Sequence, residues 1–399
     1  MSAQLRSAQL RFLDLPGEIR EQVYRELLSS ATNRHDIGDG KAQYKFHFEI
    51  LLVNSQVHEE AREVFRRHNV FVRIETPWTQ AVEHVRDEGR VPILCTGDEA
   101  VNFQDFHMSA IIGAADPRMD FPPTVKFILC LDDLASFSRM WFYSDLSHLG
   151  LNSNLTLTMR LRNPKSLTSD AEEEELPKTV QRRLLEPFGL VKGLGRVTVE
   201  GKHDKNVEQM MRTAMAVSYD SPEYCLEQAT KLKDMGNTEL KAGKYRNAIA
   251  HYEQSFAAMH IAVSGRVRNV WADQYFEKKL ENGVFDGQYG GIVRMVLRIR
   301  LVANTILAYL KLEEFSDARF WGERSLNLMR EALGDGADEP RMSFPAANEW
   351  GKVYYRTALA CKALDDQNEA RRLLRYAAAW LPQDEIVKKE YAAIALRLG

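Results

Sequence analysis

The chain has 399 residues, 45% of them hydrophobic and 27% charged, with a formal net charge of −3 at pH 7. That length accommodates two or three domains, and the composition is ordinary for a globular protein. The near-balanced charge excludes bulk electrostatic binding of nucleic acid, and no apolar run reaches the length of a membrane span.

From the N-terminus, FLDLPGEIREQVYRELL (residues 12–28) predicts a helix capped by Asp14, with Pro16 in its first turn. Leu15, Ile19, Val23 and Leu27 form an apolar stripe at i+4 spacing. Residues 32–44 are polar and contain glycine. A second helix is expected over residues 50–67, with Leu52, Val57, Ala61, Val64 and Phe65 turned inward, and a strand over residues 70–74. Further along, TVKFILCL (124–131), LTLTMRL (155–161) and RVTVE (196–200) read as strands. Segments 137–146 and 179–188 read as helices. Residues 163–178, with their Pro, Ser, Thr and Glu run, read as a solvated loop. Residues 1–77 are therefore expected to be helical, residues 78–220 to form an α+β domain continuous with them, and residues 201–225 to join the two halves.

In the C-terminal half, residues 232–258 read LKDMGNTELKAGKYRNAIAHYEQSFAA. Two helical patterns flank a break at Ala242-Gly243, and Gly243 suits a helix C-terminus. Gly236, Tyr245, Ala248 and Tyr252 are spaced as two antiparallel helices require, the small residues permitting close approach and the aromatics filling the gap. Similar patterns recur at residues 301–328 and 353–377, with Ala248, Ala318 and Ala370 at the same place in each. Pro382 follows the third unit, and residues 384–398 form an amphipathic stretch that would cap the stack.

This pattern resembles the tetratricopeptide repeat (TPR) family over residues 226–399: paired helices of about 34 residues, stacked into a superhelix with a concave groove. The resemblance implies an all-α domain of three repeats plus a capping helix. The second unit departs in having Ile306 and Gly322 where a small and a larger apolar residue are usual. The third has Gln367 where an aromatic is common. Residues 261–290 are an insertion, as in immunophilin-type members. Its Trp271, Tyr275 and Phe276 are expected to lie on an extended helix.

Five polar residues fall on one stripe of the first helices of these units: Lys233, Asn237, Asn304, Lys352 and Arg356. Counted from the start of each repeat they occupy second, fifth, sixth and ninth places, the i, i+3, i+4, i+7 positions of a helix face. They comprise three cations and two amides, with no acid among them. The set is similar to the dicarboxylate clamp of TPR proteins that bind the Glu-Glu-Val-Asp tail of chaperones of the heat shock protein 90 or 70 class. By that resemblance Lys233, Asn237 and Asn304 would hold the terminal main-chain carboxylate. Lys352 would bond the last side chain, and Arg356 the oxygens nearby. The chemistry is apt: cations give charge-assisted hydrogen bonds to carboxylates, and amides add donors without repulsion.

The string LDLPGEIREQVYREL resembles the start of an F-box, and LLVNSQVHEEAREVFRRHNVFVRI the F-box-like domain of many fungal proteins. That resemblance implies docking of a ubiquitin-ligase adaptor on Leu15, Pro16, Ile19 and Val23. The polar 32–44 segment departs from a compact F-box, and a helical lid on the following sheet is the competing reading.

Catalysis is not expected. The glycines of GLVKGLGRV (189–197) precede a strand, whereas a dinucleotide fingerprint follows one. His107, Asp105 and Asp116 are framed by no nucleophile elbow or metal-binding pair. Cys95, Cys130, Cys225 and Cys361 are isolated, which suits a reducing compartment, and no cofactor or metal is expected. The opening MSAQLRSAQLRF lacks an apolar signal core, so the cytoplasm is the expected location, with nuclear entry open.

Overall fold

A computed structural model of the chain describes residues 11–38, 40–116, 118, 121–164, 174–336 and 338–395. All of the tandem SAQLR except Arg11, most of the 163–178 loop and the last residues of the expected cap lie outside the described residues. The chain divides into two compact units, Met1–Asp145 with Gly150–Tyr219, and Leu146–Leu149 with Asp220–Gly399.

The first unit is built on a six-stranded mixed sheet. Its N-terminal segment comprises α1 (Gly17–Leu28), α2 (Ser30–Asn33), an antiparallel hairpin β1 (Arg34–Gly38) and β2 (Lys41–Tyr44), and α3 (Ser55–His68). The polar 32–44 segment is thus mainly a hairpin, and a compact three-helix F-box is not formed there. Asp14 does not cap α1. Its carboxylate accepts from the Arg11 backbone at 2.9 Å and closes a separate 3₁₀ turn, so that α1 starts after Pro16. The expected second helix is broken as well. Phe48–Leu52 is a 3₁₀ turn, and Asn54 then caps α3 by accepting from the Val57 N–H at 2.9 Å. The break leaves Leu52 85% exposed, whereas Val57, Ala61, Val64 and Phe65 are buried as their spacing requires.

Helix α1 buries Tyr24 and Leu28 rather than the Leu15–Ile19–Val23 stripe. A polar hub sets this rotation. The Arg20 guanidinium donates to both Glu60 oxygens, at 2.9 and 2.7 Å, and to the Leu15 carbonyl at 2.5 Å, while the Tyr24 hydroxyl donates to Glu60 at 2.9 Å. The bidentate pair ties α1 to α3.

The sheet runs β4-β6-β3-β5-β7-β8: β3 (Phe71–Thr76), β4 (Cys95–Thr96), β5 (Met108–Ala114), β6 (Val125–Cys130), β7 (Leu155–Leu161) and β8 (Arg196–Glu200). β3 pairs parallel with β5, and β7 parallel with β8; the other pairings are antiparallel. Alternate residues feed opposite faces. Phe71, Ile128 and Cys130 meet α1, α3 and α5 (Gly97–Asn102). Val72, Ile74, Phe127 and Leu129 face the other way, into a second core. That core takes side chains from α6 (Leu134–Ser147), α7 (Lys178–Leu185) and α8 (Lys205–Ala216). Helix α4 (Ala81–Glu83) and the π turn His84–Glu88 cross the same side, with Val85 buried in it. The region is therefore α+β with helices on both faces of its sheet. Residues 201–225 are not a simple join: Val207 and Met211 of α8 belong to the core.

The second unit is a stack of antiparallel helix pairs. α9 (Pro222–Lys241) pairs with α10 (Tyr245–Ala258), α12 (Gly290–Lys311) with α13 (Phe315–Leu333), and α14 (Ala347–Ala363) with α15 (Gln367–Trp380). α16 (Glu385–Ala395) packs on α15. Ser221 caps α9, where it starts earlier than residue 226, and Pro222 sits in its first turn. Each first helix ends in the same motif. Gly243, Glu313 and Asp365 take the left-handed conformation, with φ of 77°, 60° and 63°. The next N–H bonds five residues back in each case: Lys244 to Glu239, Glu314 to Tyr309 and Asp366 to Cys361, at 2.9, 3.0 and 2.9 Å. This is the Schellman closure. Gly322 has its own reason: a Cβ there would overlap the Thr357 side chain of α14, so α13 and α14 approach closely at a glycine.

The insertion is not an extended helix. It holds a hairpin, β9 (Ile261–Ser264) and β10 (Val267–Val270), and the single-turn α11 (Asp273–Phe276). Buried Arg294 of α12 fixes it, donating to the Met259 carbonyl at 3.1 and 2.9 Å, to the Trp271 carbonyl at 2.5 Å and to Asp273 at 2.5 Å, over the Phe276 ring. These long-range donors hold the aromatics where a continuous helix would have spread them.

Candidate functional site: a cationic groove on three first helices

Helices α9, α12 and α14 lie side by side as the first members of their pairs. One face of each contributes to a cavity of about 240 Å³, lined by Lys233, Asn237, Arg300, Ala303, Asn304, Glu349, Lys352 and Arg356. All five residues singled out from the sequence meet there. Their helical spacing explains the convergence. Lys233 and Asn237 are i, i+4 on α9; Arg300, Ala303 and Asn304 are i, i+3, i+4 on α12; Glu349, Lys352 and Arg356 are i, i+3, i+7 on α14.

The amides are fixed by their neighbours. The Asn237 side-chain oxygen accepts from Asn304 Nδ2 at 2.8 Å and from the Tyr252 hydroxyl at 3.0 Å. With its oxygen doubly engaged, Asn237 keeps its NH₂ as the group available to a ligand, apart from a long 3.5 Å contact to exposed Asp234. Lys233 pairs with that same Asp234 at 3.0 Å. Lys352 makes no hydrogen bond or ion pair among the described residues. Arg356 is anchored: its Nη1 donates to the Ala303 carbonyl at 2.5 Å, so α14 is stitched to α12. Burial lowers the Arg356 pKa to about 10, which leaves it a cation at neutral pH. Burial likewise raises the Tyr252 hydroxyl to about 12, keeping it a neutral donor.

Two lining residues were missed in the sequence reading. Arg300 sits one turn before Asn304, in a part of α12 that begins at Gly290 rather than near residue 301. Glu349 sits one turn before Lys352 and faces Arg300 Nε at 3.4 Å. The groove thus contains an acid after all, but four cationic side chains stand against one carboxylate. Extending each stripe by one turn would have found both. The arrangement can bind an anion with several acceptor oxygens, through charge-assisted bonds from Lys and Arg and directed donors from Asn.

The α1 residues lie apart from this site in sequence and in unit. Pro16 is exposed, Ile19 is 45% exposed, and Leu15 and Val23 are half-buried. Among the described residues no cluster of His, Cys, Asp or Glu could hold a metal, and no helix is long and apolar enough to cross a membrane.

No protein-family model matches the chain. Among solved structures it is similar to the C-terminal TPR-containing domain of a Plasmodium falciparum protein described as FK506-binding, with 16% identity over 45% of this chain and 93% of that one and a TM-score of 0.30. It is also similar to the first TPR of Spaghetti (RPAP3) bound to the HSP90 peptide SRMEEVD, with 20% identity, 43% and 94% coverage and a TM-score of 0.27. A third is the first TPR domain of human RPAP3, with 20% identity, 43% and 94% coverage and a TM-score of 0.28.

Proposed function

We propose that the groove of the second unit binds the free C-terminus of an acidic peptide, and that the chain is a non-enzymatic adaptor or co-chaperone acting in the cytoplasm. The tail of a chaperone of the heat shock protein 90 or 70 class is the partner this reading favours. The observation that carries it is the meeting of Lys233, Asn237, Asn304, Lys352 and Arg356 on one cavity wall. A chain-terminal Asp offers two carboxylates in a small volume, which matches directed amide donors flanked by cations. Lys352, with no hydrogen bond or ion pair among the described residues, supplies the cation for the terminal side chain.

Calorimetric titration of the full chain with Met-Glu-Glu-Val-Asp, beside its C-terminally amidated form, tests this reading. Saturable binding of the free acid, much weaker for the amide and lost in a Lys352→Ala, Arg356→Ala variant, supports it. Equal binding of both peptides, or none, removes it.

A second reading rests on α1, where Ile19 is left 45% exposed by the rotation that Arg20 imposes. A ubiquitin-ligase adaptor docked over Leu15, Pro16, Ile19 and Val23 would cover that face. Stoichiometric co-purification with such an adaptor, abolished by Ile19→Asp, is the outcome it requires.

A further inference from the structure

The sheet unit holds a larger cavity, about 870 Å³, that the peptide groove does not involve. It opens between the β3-β5-β6 face of the sheet, the α4 turn and α6. Its walls are mainly apolar, with Trp78, Phe127, Phe137 and Trp141 supplying four aromatic rings. Cavities of roughly 300–1,000 Å³ with apolar walls and a few convergent polar groups are those that take small molecules.

The permanently charged side chains of the lining have one sign. Glu83, Glu88 and Asp116 line the cavity, and no lysine or arginine among the described residues does. Asp116 is engaged by Arg118 at 2.7 Å, and Glu88 by His84 Nδ1 at 2.7 Å. Glu83 is exposed and has no hydrogen bond or ion pair among the described residues. Deeper in, His84 Nε2 lies 2.8 Å from the Ser144 hydroxyl.

Ser144, His84 and Glu88 have the connectivity of a hydrolytic relay, but the surroundings do not serve one. Ser144 lies inside α6 and its hydroxyl bonds the Met140 carbonyl at 3.0 Å. The backbone N–H groups around it are taken up within the helix, so no pair of donors awaits an oxyanion, and no strand-to-helix elbow presents the hydroxyl. The trio is a polar recognition point in an apolar chamber.

We propose that this cavity binds a small amphipathic cation, its aromatic or aliphatic body among the four rings and its ammonium group at Glu83. Aromatic faces attract such cations, and an unpaired carboxylate at the rim completes the complementarity. An anion of the same shape meets three carboxylates there and, among the described lining residues, no lysine or arginine. This assignment stands independently of the peptide groove.

The test uses a matched pair of probes, 2-naphthylmethylamine and 2-naphthoate, titrated into the full chain with calorimetry and tryptophan fluorescence as readouts, since Trp78 and Trp141 line the site. The amine is expected to saturate, with the carboxylate about tenfold weaker. Glu83→Gln, an exposed change that leaves the core intact, should narrow that ratio to about twofold. Ile112→Trp should fill the chamber and abolish binding of both probes, with retained circular dichroism showing that the chain still folds. Absence of saturation by the amine, equal affinity for the two probes, or binding undiminished by Ile112→Trp each overturns the assignment. So does a probe ratio that Glu83→Gln leaves unchanged.

Discussion

Asn304 of α12 donates its side-chain amide to the Asn237 oxygen of α9 at 2.8 Å, joining the first helices of two successive pairs inside the cationic groove. The bond directs the Asn237 NH₂ toward the cavity. Asn304→Asp replaces the donor by a carboxylate facing that same oxygen. Losing a donor to a charged group and adding repulsion should weaken binding of Met-Glu-Glu-Val-Asp by at least ~2 kcal/mol, about thirtyfold. Calorimetry reads this, and unchanged affinity would place the peptide elsewhere.

Glu60 links the groove-free unit to pH. Its hydrogen bonds from Arg20, then from Gln56 and Tyr24, hold the carboxyl at about 2, against an ordinary 4.5. A depressed folded-state value means the stabilisation is complete above about 4.5 and is lost as pH falls through 4.5 toward 2. Its size is on the order of 1–3 kcal/mol after allowance for partial solvent exposure. Urea midpoints of the first unit should therefore fall between pH 5 and pH 2.5 more steeply in the natural chain than in Glu60→Gln, which lacks the titrating group. Parallel pH profiles would exclude the linkage.

The three Schellman closures make a prediction about backbone strain. Glu313 and Asp365 hold φ of 60° and 63°, a conformation that Gly243 adopts freely at the equivalent place. Glu313→Gly and Asp365→Gly should each stabilise the second unit by about 1 kcal/mol, the relief of a left-handed non-glycine residue less the added freedom of the unfolded chain. Gly243→Ala should act in the opposite direction by a similar amount. Chemical denaturation of the three variants gives the signs, and a loss of stability in both glycine variants would contradict this account.

Gly322 faces Thr357 with no room for a side-chain carbon between them. Gly322→Val should destabilise by about 2–4 kcal/mol through overpacking in the α13–α14 contact. Thr357→Gly in the same chain should recover part of that loss, although each change alone is harmful. Simple additivity of the two would mean that they do not share the contact.

The groove was legible in the sequence because its logic is local. Positions i, i+3, i+4 and i+7 on one helix need no tertiary information, so Lys233, Asn237, Asn304, Lys352 and Arg356 could be selected one helix at a time. Arg300 escaped because α12 starts at Gly290, earlier than the repeat pattern alone indicates. The insertion was misread for a different reason. The spacing of Trp271, Tyr275 and Phe276 fits a helix face, and what overrides it is Arg294, which collects carbonyls from far along the chain. Strand β5 gave no alternation because it runs through the middle of the sheet, with both of its faces covered. The stripe on α1 was sound as periodicity and wrong as orientation, since the Arg20–Glu60 pair turns Tyr24 inward.

The bond from Arg356 to the Ala303 carbonyl has a consequence for how tightly any anion could be held. A long flexible side chain ordinarily surrenders rotational freedom when a ligand arrives, at about 0.5–1.5 kcal/mol for each one immobilised. Arg356 has already made that sacrifice during folding, and so has Asn237. Among the groove's donors chiefly Lys352 is left to be ordered at encounter, so the wall meets its guest in a largely preorganised state.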